Sequence, residues 1–244
     1  MRFKFFSLFI LYLLLCNTSY SQIFPRFSIA GGPTAGWFYN NTDDLNAEIR
    51  RISLPEFSKG GFFILGGGGF IDLPLKHIQW LRVGGSGEGF TSQKQITSTD
   101  NVVKTAYYKY RAGGITLDYV KQFGKRVEMT FGAHIATGTL SVELFQRAPG
   151  FGNWTSIFNE FTGAGLTENP SRKLSLRFYS ARPQIGLGVF VTPYLYAKLN
   201  AGYQFSTNSD WKVDDEVPVT NAPSGIKADG FIINFGLNFG LFTK

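Results

Sequence analysis

The chain has 244 residues, 43% hydrophobic and 16% aromatic, with 29 glycines, one cysteine and a formal net charge of +7. A single cysteine excludes a disulfide framework and a cysteine-based metal centre, and no segment beyond the leader has the roughly 18 consecutive apolar residues of a spanning helix. Lys and Arg are scattered instead of gathered in a stripe, which argues against nucleic acid and in favour of an anionic lipid surface.

Taken in chain order, residues 1–21 read as a cleaved signal peptide. Arg2 and Lys4 precede the apolar run 5–15, and small residues follow at Ser19 and Ser21, so Gln22 is the expected mature N-terminus and the net charge falls to +5. A lipoprotein reading, with Cys16 acylated, is the alternative; the bulky Leu15 before it counts against that. Residues 22–244 then form one domain, within the size range of a single all-β barrel.

Strand-like alternation predicts eight strands, over 26–39, 61–73, 80–92, 105–121, 127–145, 173–191, 194–207 and 227–242. The last is the clearest: Phe231, Ile233, Phe235, Leu237, Phe239 and Leu241 share one face, while Ile232, Asn234, Gly236, Asn238 and Gly240 share the other. Large apolar groups on one face and small or polar ones on the other suit a strand between lipid and a narrow polar interior. The second strand, with Gly66 to Gly69 at its middle, is the least regular. The fourth changes parity at Gly113 and Gly114, where Tyr108, Tyr110 and Ala112 give way to Ile115, Leu117 and Tyr119, so a bulge is expected there.

Connections after the second, fourth and sixth strands are tight, over 74–79, 122–126 around Gly124, and at Thr192 and Pro193. Those after the first, third, fifth and seventh are long. This layout predicts an eight-stranded antiparallel up-and-down transmembrane β-barrel with short periplasmic turns and long extracellular loops. Aromatic residues gather near strand ends, with Trp37, Phe38, Tyr39, Tyr107, Tyr108, Tyr203 and Phe205 at the outer rim and Trp80, Tyr119, Phe123, Tyr194 and Tyr196 at the inner. Two loops hold helical patterns. Thr42 and Asp43 cap a turn carrying Leu45, Ile49 and Ile52 in the first, and Trp154, Ile157, Phe158 and Phe161 share a face in the longest. Acidic Asp210, Asp214, Asp215 and Glu216 mark the last long loop as a solvated surface.

No motif carries a catalytic or cofactor signature. The glycines at 66–69 and at 84, 85, 87 and 89 lack the Gly-Lys-Ser/Thr or the spacing of a phosphate-binding loop and serve as barrel-wall filler. His77 and His134 fall half a barrel height apart, too far for a shared metal. His134 with Ser86 and Glu88 or Glu128 supplies the residue types of a hydrolase triad, but without a local signature. Inward parity collects Arg82, Glu88, Lys109, Arg111, Asp118, Glu128, His134, Arg182, Gln184, Lys198, Asn200, Asn234 and Asn238. Mixed charges in a narrow lumen must pair, so Arg82, Glu88, Arg111, Asp118, Glu128, His134, Arg182 and Lys198 are expected to form a cross-barrel polar network that plugs it.

The leader ending Ser19-Tyr20-Ser21, the turns Asp72-Leu73-Pro74 and Val191-Thr192-Pro193-Tyr194, and the alternating last strand make the chain resemble small outer-membrane β-barrel proteins of the OmpA/OmpX-like type, particularly the eight-stranded exported barrels of Bacteroidota-like bacteria. One departure is that Phe242 is off the outward parity and is followed by Thr243 and Lys244. The resemblance implies a non-enzymatic, cofactor-free monomer of the Gram-negative outer membrane with a structural or surface-interacting role, ahead of a porin-like one. Its expected partners are outer-membrane lipids, lipopolysaccharide and surface partners met through long loops, with no nucleic acid. A narrow channel or ligand-binding barrel is the alternative, and a lipid hydrolase a more remote one.

Overall fold

A strand has unpaired backbone groups on both edges, and in a medium without water each must find a partner in protein. The computed structural model describes residues 27–73, 80–147 and 169–242. It contains β1 (Ser28–Asn40), α1 (Asp43–Arg51), β2 (Phe62–Asp72), β3 (Leu81–Thr97), β4 (Val103–Phe123), β5 (Val127–Arg147), β6 (Ser171–Thr192), β7 (Leu195–Asn208), β8 (Lys212–Val213), β9 (Val217–Pro218) and β10 (Gly230–Phe242). The eight long strands pair antiparallel with their chain neighbours, and β10 returns to β1, so no long edge is left open. The residues of the expected signal peptide, Cys16, the turn with His77, and Trp154 to Phe161 lie outside the described residues.

The register fixes the barrel's shape. A circuit through paired residues runs Asp72, Arg82, Asp118, Gly132, Gln184, Gly202, Ile232, Phe38 and Phe62, returning to β2 ten residues from its start. With eight strands, that stagger corresponds to a tilt of roughly 40° and an interior that side chains can fill. β1, β2, β7 and β10 have 11 to 14 residues, whereas β4, β5 and β6 have 21 or 22. At about 3.3 Å per residue and this tilt, the long strands rise on the order of 50 Å, twice the ~25 Å band that a bilayer covers. One wall therefore stands well above the other.

Outward residues of the lower part, toward the short turns, form that band. Leu117, Ile135, Ile185, Leu187, Leu199, Phe235 and Phe239 are all exposed. Trp80, Tyr119 and Tyr194 edge it below, and Trp37, Tyr39, Tyr203 and Phe205 edge it above. Exposed apolar groups on this scale are the mark of a lipid-facing wall.

Several expectations need correction. The connection after β3 spans only residues 98–102, because both flanking strands extend past the band and close with a bond from Ser98 N to Val102 O of 2.8 Å. No bulge occurs at Gly113 and Gly114, which sit in unbroken ladders with β3 and β5. The recorded shift in register lies between Phe190 and Thr192 instead. Gly66 to Gly69 pair continuously on both sides. Phe38, Tyr108 and Tyr196 are fully buried inside and belong to neither aromatic rim. α1 forms where expected, but the Thr42 side chain makes no cap bond; it is buried, donating to Ser58 O at 3.3 Å and accepting from Asn46 Nδ2 at 3.2 Å.

Candidate functional site

Behind the apolar band, the even-numbered residues of the strands turn inward and bring charge into the lumen. Arg82 on β3 is the hub. Its Nε lies 2.6 Å from Asp72 Oδ1 on β2, and its Nη1 lies 2.6 Å from Glu128 Oε1 on β5 and 3.2 Å from the Tyr196 hydroxyl on β7. That hydroxyl donates to the same Glu128 oxygen at 2.5 Å. The guanidinium also stacks over the Phe70 ring at 3.9 Å, a contact strengthened where water is excluded.

A second layer joins Lys198 on β7 to Asp118 on β4 at 2.8 Å, with Gln184 Nε2 on β6 donating to the other Asp118 oxygen at 3.2 Å. A third joins Arg182 on β6 to Glu88 on β3 at 2.6 Å, and Asn234 on β10 donates to Glu88 Oε2 at 2.9 Å. Glu128, Asp118 and Glu88 thus each face a cation and a neutral hydrogen-bonding group, and Asp72 takes two nitrogens of Arg82, the condition for keeping a charge buried.

Glycine makes the room. A Cβ at Gly188 would overlap the Tyr196 hydroxyl, and one at Gly186 would overlap Asn200 and Thr130 and crowd the Lys198 stem. What space remains beside these layers is a cavity of about 70 Å³, lined by Ser86, Asn200, Asn238 and the charged groups. A polar cavity of that size can hold ordered water but is far short of the several hundred Å³ of a ligand site.

Above the ion pairs the interior becomes apolar. Phe62, Phe90, Tyr110 and Phe178 stack face to face across β2, β3, β4 and β6, with successive centroids 4.3, 5.8 and 5.6 Å apart. Tyr108, Leu140, Val142, Leu176 and Ile232 extend this core, and Leu45 and Ile49 of α1, Phe57, Trp211 and Ile226 roof it. The polar ends of the buried tyrosines are satisfied: Asn40 Nδ2 donates to Tyr108 at 2.6 Å, and Tyr110 donates to Gln204 Oε1 at 3.1 Å. Asn46 clips the roof by exchanging both backbone bonds with Phe57, at 2.8 and 3.1 Å. Phe242, off the outward parity, turns inward at the opposite end and packs on Phe190 and Tyr196.

Of the eight residues expected in the network, Arg82, Glu88, Asp118, Glu128, His134, Arg182 and Lys198 are buried in the lumen. Arg111 is not. It faces out from β4 and is exposed, and Lys109 beside it also points outward, to Glu143 at 2.6 Å. Both were assigned inward by assuming a parity slip at Gly113 that the ladder does not make. Asp72 and Tyr196 belong to the network and were missed. Asp72 ends its strand on the same parity as Phe70, the signal that places it inward.

Ser86 Oγ and His134 Nε2 are 3.1 Å apart, but His134 Nδ1 has no partner among the described residues. Glu88 and Glu128 are held by Arg182 and Arg82, so neither carboxylate orients the imidazole as a triad requires. Among the described residues no group of three or more His, Cys, Asp or Glu is arranged to hold a metal ion. In the last long loop, Asp215 binds Lys173 Nζ and Ser175 Oγ, each at 2.6 Å. These bonds, the lysine's first, hold its carboxyl below the ordinary aspartate value.

No family model and no curated protein matches the sequence. Among solved structures, Ail, the attachment invasion locus protein of Yersinia pestis, is similar at 13% identity and a TM-score of 0.33, over 91% of this chain and 100% of that one. Its complex with the heparin analogue sucrose octasulfate aligns at 12% identity and 0.32, over 89% and 98%. The outer membrane protease OmpT of Escherichia coli aligns at 10% and 0.34, over 93% and 99%. Likenesses at this level carry no argument about function, and the barrel rests on its own strand pairing.

Proposed function

We propose that this protein is a non-enzymatic integral barrel of the outer membrane, with its short turns in the periplasm, its tall wall outside the cell, and a structural or surface-interacting role. The exposed apolar band supports the location. One observation carries the role: at membrane depth three layers of ion pairs span the lumen, and the cavity beside them measures only about 70 Å³. A conducting pore needs a continuous wet path, and a ligand-binding barrel needs a cavity of several hundred Å³. The solvent-facing surfaces above the band, where β3 to β6 and the β8–β9 hairpin stand clear of lipid, are the part of the molecule left to meet partners.

The test is reconstitution of the full chain into planar bilayers. No resolved conductance steps across repeated insertions are expected, with insertion verified by protease protection of the embedded strands. Stable single-channel steps in the unaltered protein overturn the plugged-lumen reading in favour of a narrow channel.

A further inference from the structure

Where the apolar band ends, the outer wall changes character abruptly. On the ladder that crosses β4, β5 and β6, Arg111 pairs with Thr139, and Thr139 with Arg177. Two rows lower in the same ladders lies Ile115 opposite Ile135, both exposed to lipid. Two strand spacings separate Arg111 from Arg177, about 10 Å. Both guanidinium groups point away from the barrel, and among the described residues neither makes a hydrogen bond or ion pair.

Each arginine borders a surface hollow. The one beside Arg111 has a volume of about 350 Å³ and is amphiphilic: Phe63 and Leu65 on β2, more than half exposed, form one wall, and Thr91 and Arg111 on β3 and β4 form the other. The one beside Arg177 measures about 470 Å³ and is polar, lined by Thr139, Ser175, Ser209 and Lys212 among others. Asp215 in its wall is engaged by Lys173 and Ser175. Asp210 is the remaining carboxylate there, and Lys212 lines the same hollow.

We propose that Arg111 and Arg177 form a clamp for the phosphate groups of a phosphorylated glycolipid in the surrounding outer leaflet. The clamp rests on the membrane placement proposed above. A guanidinium presents paired N–H donors that match two phosphate oxygens. Acyl chains lie along Leu65, beside Arg111 in the same row of the ladder, and along Ile115 and Ile135 below it. The hydroxyls of Thr91, Thr139 and Ser209 face the sugar level, where a glycolipid has its own hydroxyls. A lipid bearing a phosphate with hydrocarbon directly beneath it matches this order of groups; a free anion uses only the upper half.

The full-length protein, purified in detergent, is incubated with a diphosphorylated glycolipid, its dephosphorylated form or inorganic phosphate alone, and retained ligand is measured by native mass spectrometry. The expected result is retention of the phosphorylated lipid over the dephosphorylated one, reduced about tenfold for each of R111Q and R177Q. Both variants keep the heat-modifiable gel mobility of a folded barrel, since neither side chain is part of the core. Equal retention by the double variant, or equal retention of the dephosphorylated lipid, overturns the clamp. Binding of inorganic phosphate as strong as that of the lipid assigns the site to a soluble anion and overturns the lipid. Membrane placement is scored separately: protein released from membranes by carbonate without detergent sinks the placement itself, whereas an embedded protein with no arginine dependence sinks only the clamp.

Discussion

The two halves of the barrel follow the same period-two alternation with opposite sign. In the lower half Leu117, Ile135 and Phe235 face out while Asp118, His134 and Asn234 face in or toward the lumen; in the upper half Thr91, Lys109 and Thr139 line the outside while Phe90, Tyr110 and Leu140 are buried. The backbone is continuous between them, so the difference comes from the solvent on the outside. Against lipid, apolar groups gain nothing by turning inward and polar ones must be enclosed. Against water, ordinary burial returns, and the upper half is a water-soluble β-structure built on the rim of a membrane one.

The sharpest way to break the lower half is to remove its hub. Arg82→Ala removes the cation that Asp72 and Glu128 share, and a loss of about 3–5 kcal/mol is expected from the urea midpoint in bilayers. Replacing the whole group by neutral residues, Arg82→Met with Asp72→Asn and Glu128→Gln, should recover most of that loss, because the cost comes from buried carboxylates that have lost their arginine. In the upper half Leu140→Ala should cost about 2–5 kcal/mol as a cavity opens against the ring stack. Hydrogen exchange should then rise in the tops of β4 and β5 and leave the lower rows protected.

The outside surfaces distinguish the halves more directly. Phe235→Arg places a charge on the lipid wall and should cost about 2–4 kcal/mol near mid-depth. Gln95→Arg, on the exposed outer face of β3 in the tall part, should stay within about 0.5 kcal/mol. Equal costs would mean that both rows meet the same solvent.

The smallest effect concerns pH. Asp215 is held below its ordinary value by Lys173 and Ser175, so its bonds stabilise the β8–β9 hairpin at neutral pH and are lost as pH falls through the lowered value. Hydrogen-exchange protection factors in residues 212–218, corrected for the intrinsic pH dependence of exchange, should be flat from neutral pH to about pH 5 and fall only below about pH 4. The Arg50–Glu56 pair near α1, at 2.7 Å, follows the same sign, since the arginine's bond lowers Glu56.

Strand number, chain order and the polar lumen were legible because lipid imposes a strict alternation on β7 and β10, and tight turns such as the one at Gly124 punctuate it. The parity slip proposed at Gly113 was the instructive error. Tyr108, Tyr110 and Ala112 are as apolar as Ile115 and Leu117, and a reader who keeps the apolar face outward must invent a bulge to reconcile them. The ladder shows one parity throughout, with the apolar face exchanged at the waterline. That one assumption carried Arg111 to the wrong side of the wall.

Alternation and turn chemistry by themselves determined that eight strands run up and down and that charges such as Arg82 and Glu128 gather on one face, since both follow from local geometry and the cost of polar groups in lipid. Tertiary structure alone decided which charges pair, how little lumen remains, and where outside changes from hydrocarbon to water. Those depend on the ten-residue stagger of the closed sheet, which brings Asp72, Arg82, Glu128 and Tyr196 together from four strands, and no stretch of sequence records a stagger that exists only once the barrel shuts.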